Sequence, residues 1–155
     1  MRNYLILVLL FFNVSCSQFF SEKESVQPKQ CEIKVTASRE VNLDDRNHSQ
    51  PVRVCVIESK RSGWLPPQLY EGVICSGLTS DTDIINYETW IIAPGQNRLY
   101  RTTCPENNTQ PRWIIIGAEF QQGIGAHSVI EKEIPTTEDS IINVFVEKAS
   151  LKLYK

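Results

Sequence analysis

The sequence predicts an all-β fold: a two-sheet antiparallel β-sandwich of seven to eight strands with a short helical insert. Three observations point there. Apolar and polar residues alternate over short runs, the period of a strand with one buried face. Clusters of Gly, Pro, Asn, Asp and Ser break those runs at close intervals, as turns do in a sandwich. Past the N-terminus, no long stretch carries apolar residues at helical spacing. The 155 residues suit one domain, and a chain of this size buries well over half its unfolded surface.

The elements follow in chain order. Residues 31–37 (CEIKVTA) alternate and form a first strand. Residues 38–50 are rich in Asn, Asp and Ser, which bond their own backbone and favour turns. This loop is longer than a hairpin needs, and loops of that length are commonly functional. A plain solvated connection is the alternative. Residues 51–57 (PVRVCVI) form the second strand, with Val52, Val54 and Val56 on one face. Residues 64–72 (WLPPQLYEG) read as a short helix, with proline tolerated in its first turn, serving as a lid over a sheet. Residues 84–92 form a strand that ends at Pro94-Gly95, a strong turn signal, and residues 97–103 return as its partner. Residues 112–120 (RWIIIGAEF) are almost continuously apolar, as in a central strand buried on both faces. Residues 128–134 and 141–148 follow, the latter continuing into 151–154 as one long strand or a bent pair.

The N-terminus is a processing signal rather than part of the fold. Met1-Arg2-Asn3 is a short positive region, and residues 4–12 are apolar but too short to span a bilayer comfortably. Asn13-Val14-Ser15-Cys16 then resembles the lipobox of bacterial lipoproteins, with Asn13 where an aliphatic residue is usual. On this reading residues 1–15 are a signal peptide and Cys16 is lipidated. Residues 16–30 are a flexible tether, and residues 31–155 are the β-sandwich domain. Ser17 after the cysteine resembles the pattern directed to the outer membrane. An ordinary signal peptide cut near Ser15 or Ser17 is the alternative. Two or more acyl chains hold a protein durably, whereas one holds it only marginally. Removing Arg2 with the signal peptide leaves fifteen Lys+Arg against eighteen Asp+Glu, a net charge of −3. That charge excludes the basic footprint of a nucleic-acid binder.

An exported chain meets an oxidising compartment, so Cys31, Cys55, Cys75 and Cys104 suggest two disulfides among three possible connectivities. The predicted strand order favours Cys75–Cys104, flanking one strand pair, and Cys31–Cys55 in the first two strands. Four small buried hydrophobes are the alternative. None of them has zinc or thiol-redox spacing. His48 and His127 lie in loops without metal-ligand spacing, and Asp44-Asp45 and Glu138-Asp139 lack an EF-hand pattern. No nucleophile elbow, phosphate loop or zinc-protease motif is present, so the sequence predicts neither an enzyme nor a cofactor site. A pocket joining His127, Glu119 and Arg112 would argue otherwise.

Taken in order, these features resemble the TssJ family, outer-membrane lipoproteins of type VI secretion systems. The resemblance rests on the lipidated cysteine, the first strand, Val41-Asn42-Leu43-Asp44 where the family has Val-Asn-Pro-Asp, and the strand 51–57. It continues through the insert at 64–70, Ile91 to Gln96, the central strand 112–120 and the last strand. The resemblance implies a structural component of the secretion membrane complex. Its loop would bind the periplasmic domain of the inner-membrane protein TssM. Carried over by position, the binding residues are Asn42, Asp44, Asp45, Arg46, Asn47 and His48. The alternative is a periplasmic β-sandwich lipoprotein that binds a ligand or inhibits an enzyme.

Overall fold

The computed structural model describes residues 28–71, 73–79, 81–105, 110–122, 128–136 and 140–154. The expected signal peptide, Cys16, most of the tether and His127 lie outside them. Eight strands are present: β1 Gln30–Ala37, β2 Val52–Ser59, β3 Ile84–Ile92, β4 Asn97–Thr103, β5 Trp113–Glu119, β6 Val129–Glu133, β7 Ser140–Val146 and β8 Leu151–Tyr154. They form two four-stranded sheets, ordered β4-β1-β7-β8 and β3-β2-β5-β6. All neighbours are antiparallel except β1 and β7.

The main core lies between the sheets. Ile33, Val35, Val52, Val54, Val56, Ile114, Ile116, Val144 and Val146 are fully buried there. Alternation explains this packing, because each of these residues points inward from its strand. β2 and β5 lie centrally in their sheet and are buried on both faces. Their second faces carry Cys55, Ile57 and Ile115, covered by Trp64, Ile74 and Cys75 of the β2–β3 connection. The insert is thus the expected lid, but its helix is reduced to one 3-10 turn, Leu69–Glu71. Pro66 and Pro67 leave too few amide donors for a longer helix. Gly117 lets the lid sit close: a Cβ there would lie 2.5 Å from Ile74 Cγ2 and 3.1 Å from Cys55 Sγ.

One expected pairing is different. β3 and β4 do not form a hairpin, since β3 pairs with β2 and β4 with β1, in opposite sheets. The turn at Pro94-Gly95 is an arch between the layers. Gly95 (φ 77°) donates its N–H to Ser38 O, and Gln96 O accepts from Ala37, so the turn bonds to the end of β1. The sequence of an arch and of a hairpin can be the same, because both need only a tight turn between amphipathic strands.

This crossing also corrects the expected disulfides. The bonds are Cys31–Cys104 and Cys55–Cys75. β4 runs antiparallel to β1 with Thr102 opposite Cys31, so the chain just past Thr103 returns to Cys31. Cys55 faces outward from the other sheet and meets Cys75 in the lid. The expected Cys31–Cys55 bond would have to join strands in different layers.

A buried carboxylate links the layers. Glu58 points inward from β2, ion-paired with Arg112, and accepts hydrogen bonds from Thr102 (2.9 Å) and the Tyr100 hydroxyl (3.2 Å) on β4. Burial, with the Glu58 carboxylate beside it, pushes the Tyr100 phenol well above its ordinary value.

Candidate functional site

The topology sorts the connections between two poles. The β1–β2 loop, the β3–β4 arch, the β5–β6 connection and the β7–β8 turn gather at one end, since Ala37 lies beside Val146, Val52 beside Ile92, and Arg53 beside Glu119. The N-terminal segment enters at the other end, where Gln30 pairs with Thr103. The eight residues of β1 separate the two poles by roughly 23 Å, at about 3.3 Å per residue.

Asn42 is the keystone of the loop pole. It is 3% exposed and has a φ of 50°, a conformation that asparagine tolerates better than most residues. Its Nδ2 donates to Pro51 O (2.7 Å), and its Oδ1 accepts from the Gln121 N–H (2.7 Å). Its own N–H donates to Lys148 O (2.9 Å), and its carbonyl accepts from Gln50. One buried residue therefore joins the β1–β2 loop to the β5–β6 connection and the β7–β8 turn.

Asp44 organises the tip. Its Oδ1 accepts from the N–H groups of Arg46 (2.9 Å) and His48 (2.8 Å), and its Oδ2 from Gln50 (3.3 Å). The backbone adds Asp44 N–H to His48 O and Asn47 N–H to Asp44 O, and Leu43 bridges Ser49. Asn47 takes φ 60° to close the turn. His48 Nδ1 lies 3.6 Å from Asp44 Oδ2. The hydrogen bond from the His48 backbone is the largest reason the Asp44 carboxyl sits below its ordinary 3.8, with Arg46 and Gln50 adding to it.

What remains exposed is the tip: Asp45, Arg46, Asn47 and His48. Asp45 accepts a hydrogen bond from Gln122 (3.0 Å), and Ser49 Oγ donates to Arg39 O. The six residues expected to form the site thus lie together but divide in role. Asn42 is buried and Asp44, partly exposed, binds the loop's own backbone, while 45–48 face solvent. Gln121, Gln122 and Lys148 brace the loop and were not anticipated. Gln121 and Gln122 belong to the β5–β6 connection and Lys148 to the β7–β8 turn, and no local signal in the sequence links them to residue 42.

The enzymatic arrangement does not assemble from Glu119 and Arg112. Glu119 sits at the loop pole, where it pairs with Arg53 (3.2 Å) and accepts from the Cys75 (2.8 Å) and Ser76 N–H groups, clamping the lid. Arg112 sits at the opposite pole with Glu58. Among the described residues, no group of three or more His, Cys, Asp or Glu side chains could hold a metal ion.

Comparison with known proteins gives the family. Residues 29–149 match the model of the type VI secretion lipoproteins (VasD, EvfM, TssJ). The T6SS lipoprotein TssJ1 from Pseudomonas aeruginosa has a similar structure, with a TM-score of 0.63 and 13% identity over 82% of this chain and 95% of that one. Lip of Serratia marcescens, a membrane-bound component of the type VI secretion system, gives a TM-score of 0.61 and 14% identity over 83% and 98%. A chain of the structure described as the T6SS protein TssM C-terminal domain (869–1107) from EAEC gives 0.59 and 15% identity over 82% and 98%. A chain of a type VI membrane complex gives 0.59 and 16% identity over 83% and 100%. No curated protein matches the sequence. With four-fifths of its length matched to the family, the chain belongs to the type VI secretion lipoproteins.

Proposed function

We propose that the protein is an outer-membrane lipoprotein of the type VI secretion membrane complex. Through the β1–β2 loop it binds the periplasmic domain of a TssM-like inner-membrane protein. Residues 1–15 are removed on export, Cys16 carries the acyl chains, and residues 16–30 connect the lipid to β1. Asn42 and Asp44 fix the shape of the loop. Asp45, Arg46, Asn47 and His48 make the contact.

The observation that carries this reading is the position of the loop. It is held stiffly at the end of the domain opposite the point where the N-terminal segment enters. A protein that links two membranes needs its anchor and its grip on opposite ends. Similar chains in structures described as a TssM C-terminal domain and a type VI membrane complex support the same partner. A rigid loop loses little entropy on binding, and tethering raises the effective concentration of a modest contact. Replacing residues 42–48 with a Gly-Ser turn should abolish binding while the fold survives. Unchanged binding would place the interface elsewhere. Cys16→Ser should release the protein from membranes, and persistent membrane association would contradict the lipid anchor.

A further inference from the structure

The arginines of the described residues divide by place. Four are ion-paired: Arg53 with Glu119 (3.2 Å), Arg61 with Asp83 (3.0 Å), Arg101 with Glu32 (2.8 Å), and Arg112 with Glu58. The other three, Arg39, Arg46 and Arg98, have no carboxylate partner among the described residues, and all three are exposed at the loop pole. Arg39 follows β1, Arg46 stands at the loop tip, and Arg98 is the second residue of β4, just past the arch. The Arg98 guanidinium donates to the carbonyl of its neighbour Asn97 (3.0 Å). The described carboxylates at this pole are already engaged. Glu40 pairs with Lys148 (3.0 Å), Glu147 with Lys152 (2.6 Å), and Glu119 with Arg53. Asp44 accepts from the loop's own N–H groups, and Asp45 from the Gln122 amide. Guanidinium is the charge left over, on a chain that is net acidic.

These cations reach beyond residues 45–48. Arg39 lies between the loop and the arch: its carbonyl accepts from Ser49 Oγ (2.7 Å), and its Cγ is 3.8 Å from where a Cβ on Gly95 would stand. We propose that the partner-binding surface runs from the loop tip to the β3–β4 arch, and that Arg39, Arg46 and Arg98 grip carboxylates on an acidic protein surface. The inference rests on the loop pole being the end that binds a protein partner. An arginine fork matches a carboxylate with two parallel hydrogen bonds, which fixes orientation as well as attraction. An arginine with no internal ion pair breaks none when it meets one. Lipid phosphate has a similar shape and charge, but the N-terminal segment that leads to the lipid enters at the opposite pole, beside Thr103. Exposed charges at the rim of an interface act mainly on association rate and specificity, and salt screens them.

The test uses the full lipidated chain in nanodiscs of phosphatidylcholine, titrated with the periplasmic domain of the TssM-like protein. The parent should bind about tenfold more weakly at ~300 mM than at ~50 mM salt, chiefly through slower association. Arg39→Glu with Arg98→Glu should weaken binding about tenfold at the lower salt and flatten the salt dependence. Arg39→Lys with Arg98→Lys should keep that dependence. Lys34→Glu, exposed in the middle of β1, should change binding less than about twofold. Circular dichroism should show every variant folded, and the salt dependence of the parent needs no variant at all. Arginine reversals that leave binding unchanged, in a protein whose binding is lost on shortening the loop, would overturn the acidic surface and leave the partner reading intact. An equal loss with Lys34→Glu would reduce the effect to net charge and overturn the site. Arginine-dependent binding to phosphatidylglycerol vesicles, with partner binding unaffected, would make lipid phosphate the occupant and overturn it as well. A parent that fails to bind would overturn the partner reading and this surface together.

Discussion

Asn42→Ala should damage both stability and binding, although the side chain is out of reach of any partner. The substitution removes the donor to Pro51 O and the acceptor for the Gln121 N–H. A buried polar group that loses its partner costs about 1–3 kcal/mol, and the exposure of Gln121 to water keeps that half near the lower figure. Alanine at φ 50° costs a further ~1 kcal/mol that asparagine partly avoids. Together these give a loss of about 3–5 kcal/mol, at or below the low end of the 5–15 kcal/mol typical of a domain. The domain therefore stays folded while its loop is released from the β5–β6 connection and keeps only its backbone bond to Lys148 O in the β7–β8 turn. Asn42→Gly isolates the terms, since glycine accepts the positive φ and loses only the hydrogen bonds. It should be the more stable of the two variants by up to about 1 kcal/mol. Urea unfolding with an unchanged slope would measure the losses, and titration with the TssM-like periplasmic domain would measure binding. An Asn42→Ala protein within ~0.5 kcal/mol of the parent, the scatter of an ordinary surface change, would refute the keystone role.

Three other outcomes follow from the structure. The chain-entropy model gives about 4 kcal/mol for the Cys31–Cys104 bond and about 3 kcal/mol for Cys55–Cys75, from sequence separations of 73 and 20. Paired Cys→Ser variants compared by urea unfolding should rank in that order, and the reverse ranking would contradict it. Arg112→Leu should cost about 3–5 kcal/mol by leaving the Glu58 charge buried, whereas adding Glu58→Leu should recover much of it. Equal stabilities for the single and double variants would count against a buried ion pair. The tip should loosen in acid. Asp44 has a lowered folded pKa, so its contribution is complete above the unfolded value near 3.8 and is lost as pH falls through the lower folded value. Amide exchange at Arg46 and His48 should rise in that window, and Asp44→Asn should remove the transition. Exchange that stays flat there would contradict the role given to Asp44.

The strands were legible because alternation survives in the sequence. The bounds of β3 and β4 match the reading to the residue, and the apolar run around Ile114–Ile116 marked a strand buried on both faces. The layer to which each strand belongs was not legible. Pro94-Gly95 makes an arch as readily as a hairpin, and mistaking one for the other carried the disulfide expectation with it. The loop was legible from its length and its Asn and Asp content. The split between its inward and outward residues was not, because Asn42 is buried by Pro51, Gln121 and Lys148. The last two are distant in sequence and close only after both sheets have formed.

The measurement that bears most directly on the proposed function is a calorimetric titration of the soluble domain, residues 17–155, into the periplasmic domain of the TssM-like protein of the same organism. Saturable one-to-one binding is expected, lost when residues 42–48 are shortened to a Gly-Ser turn, with both proteins shown to be folded. A folded parent domain that fails to bind, or a shortened loop that binds as well as the parent, would contradict it.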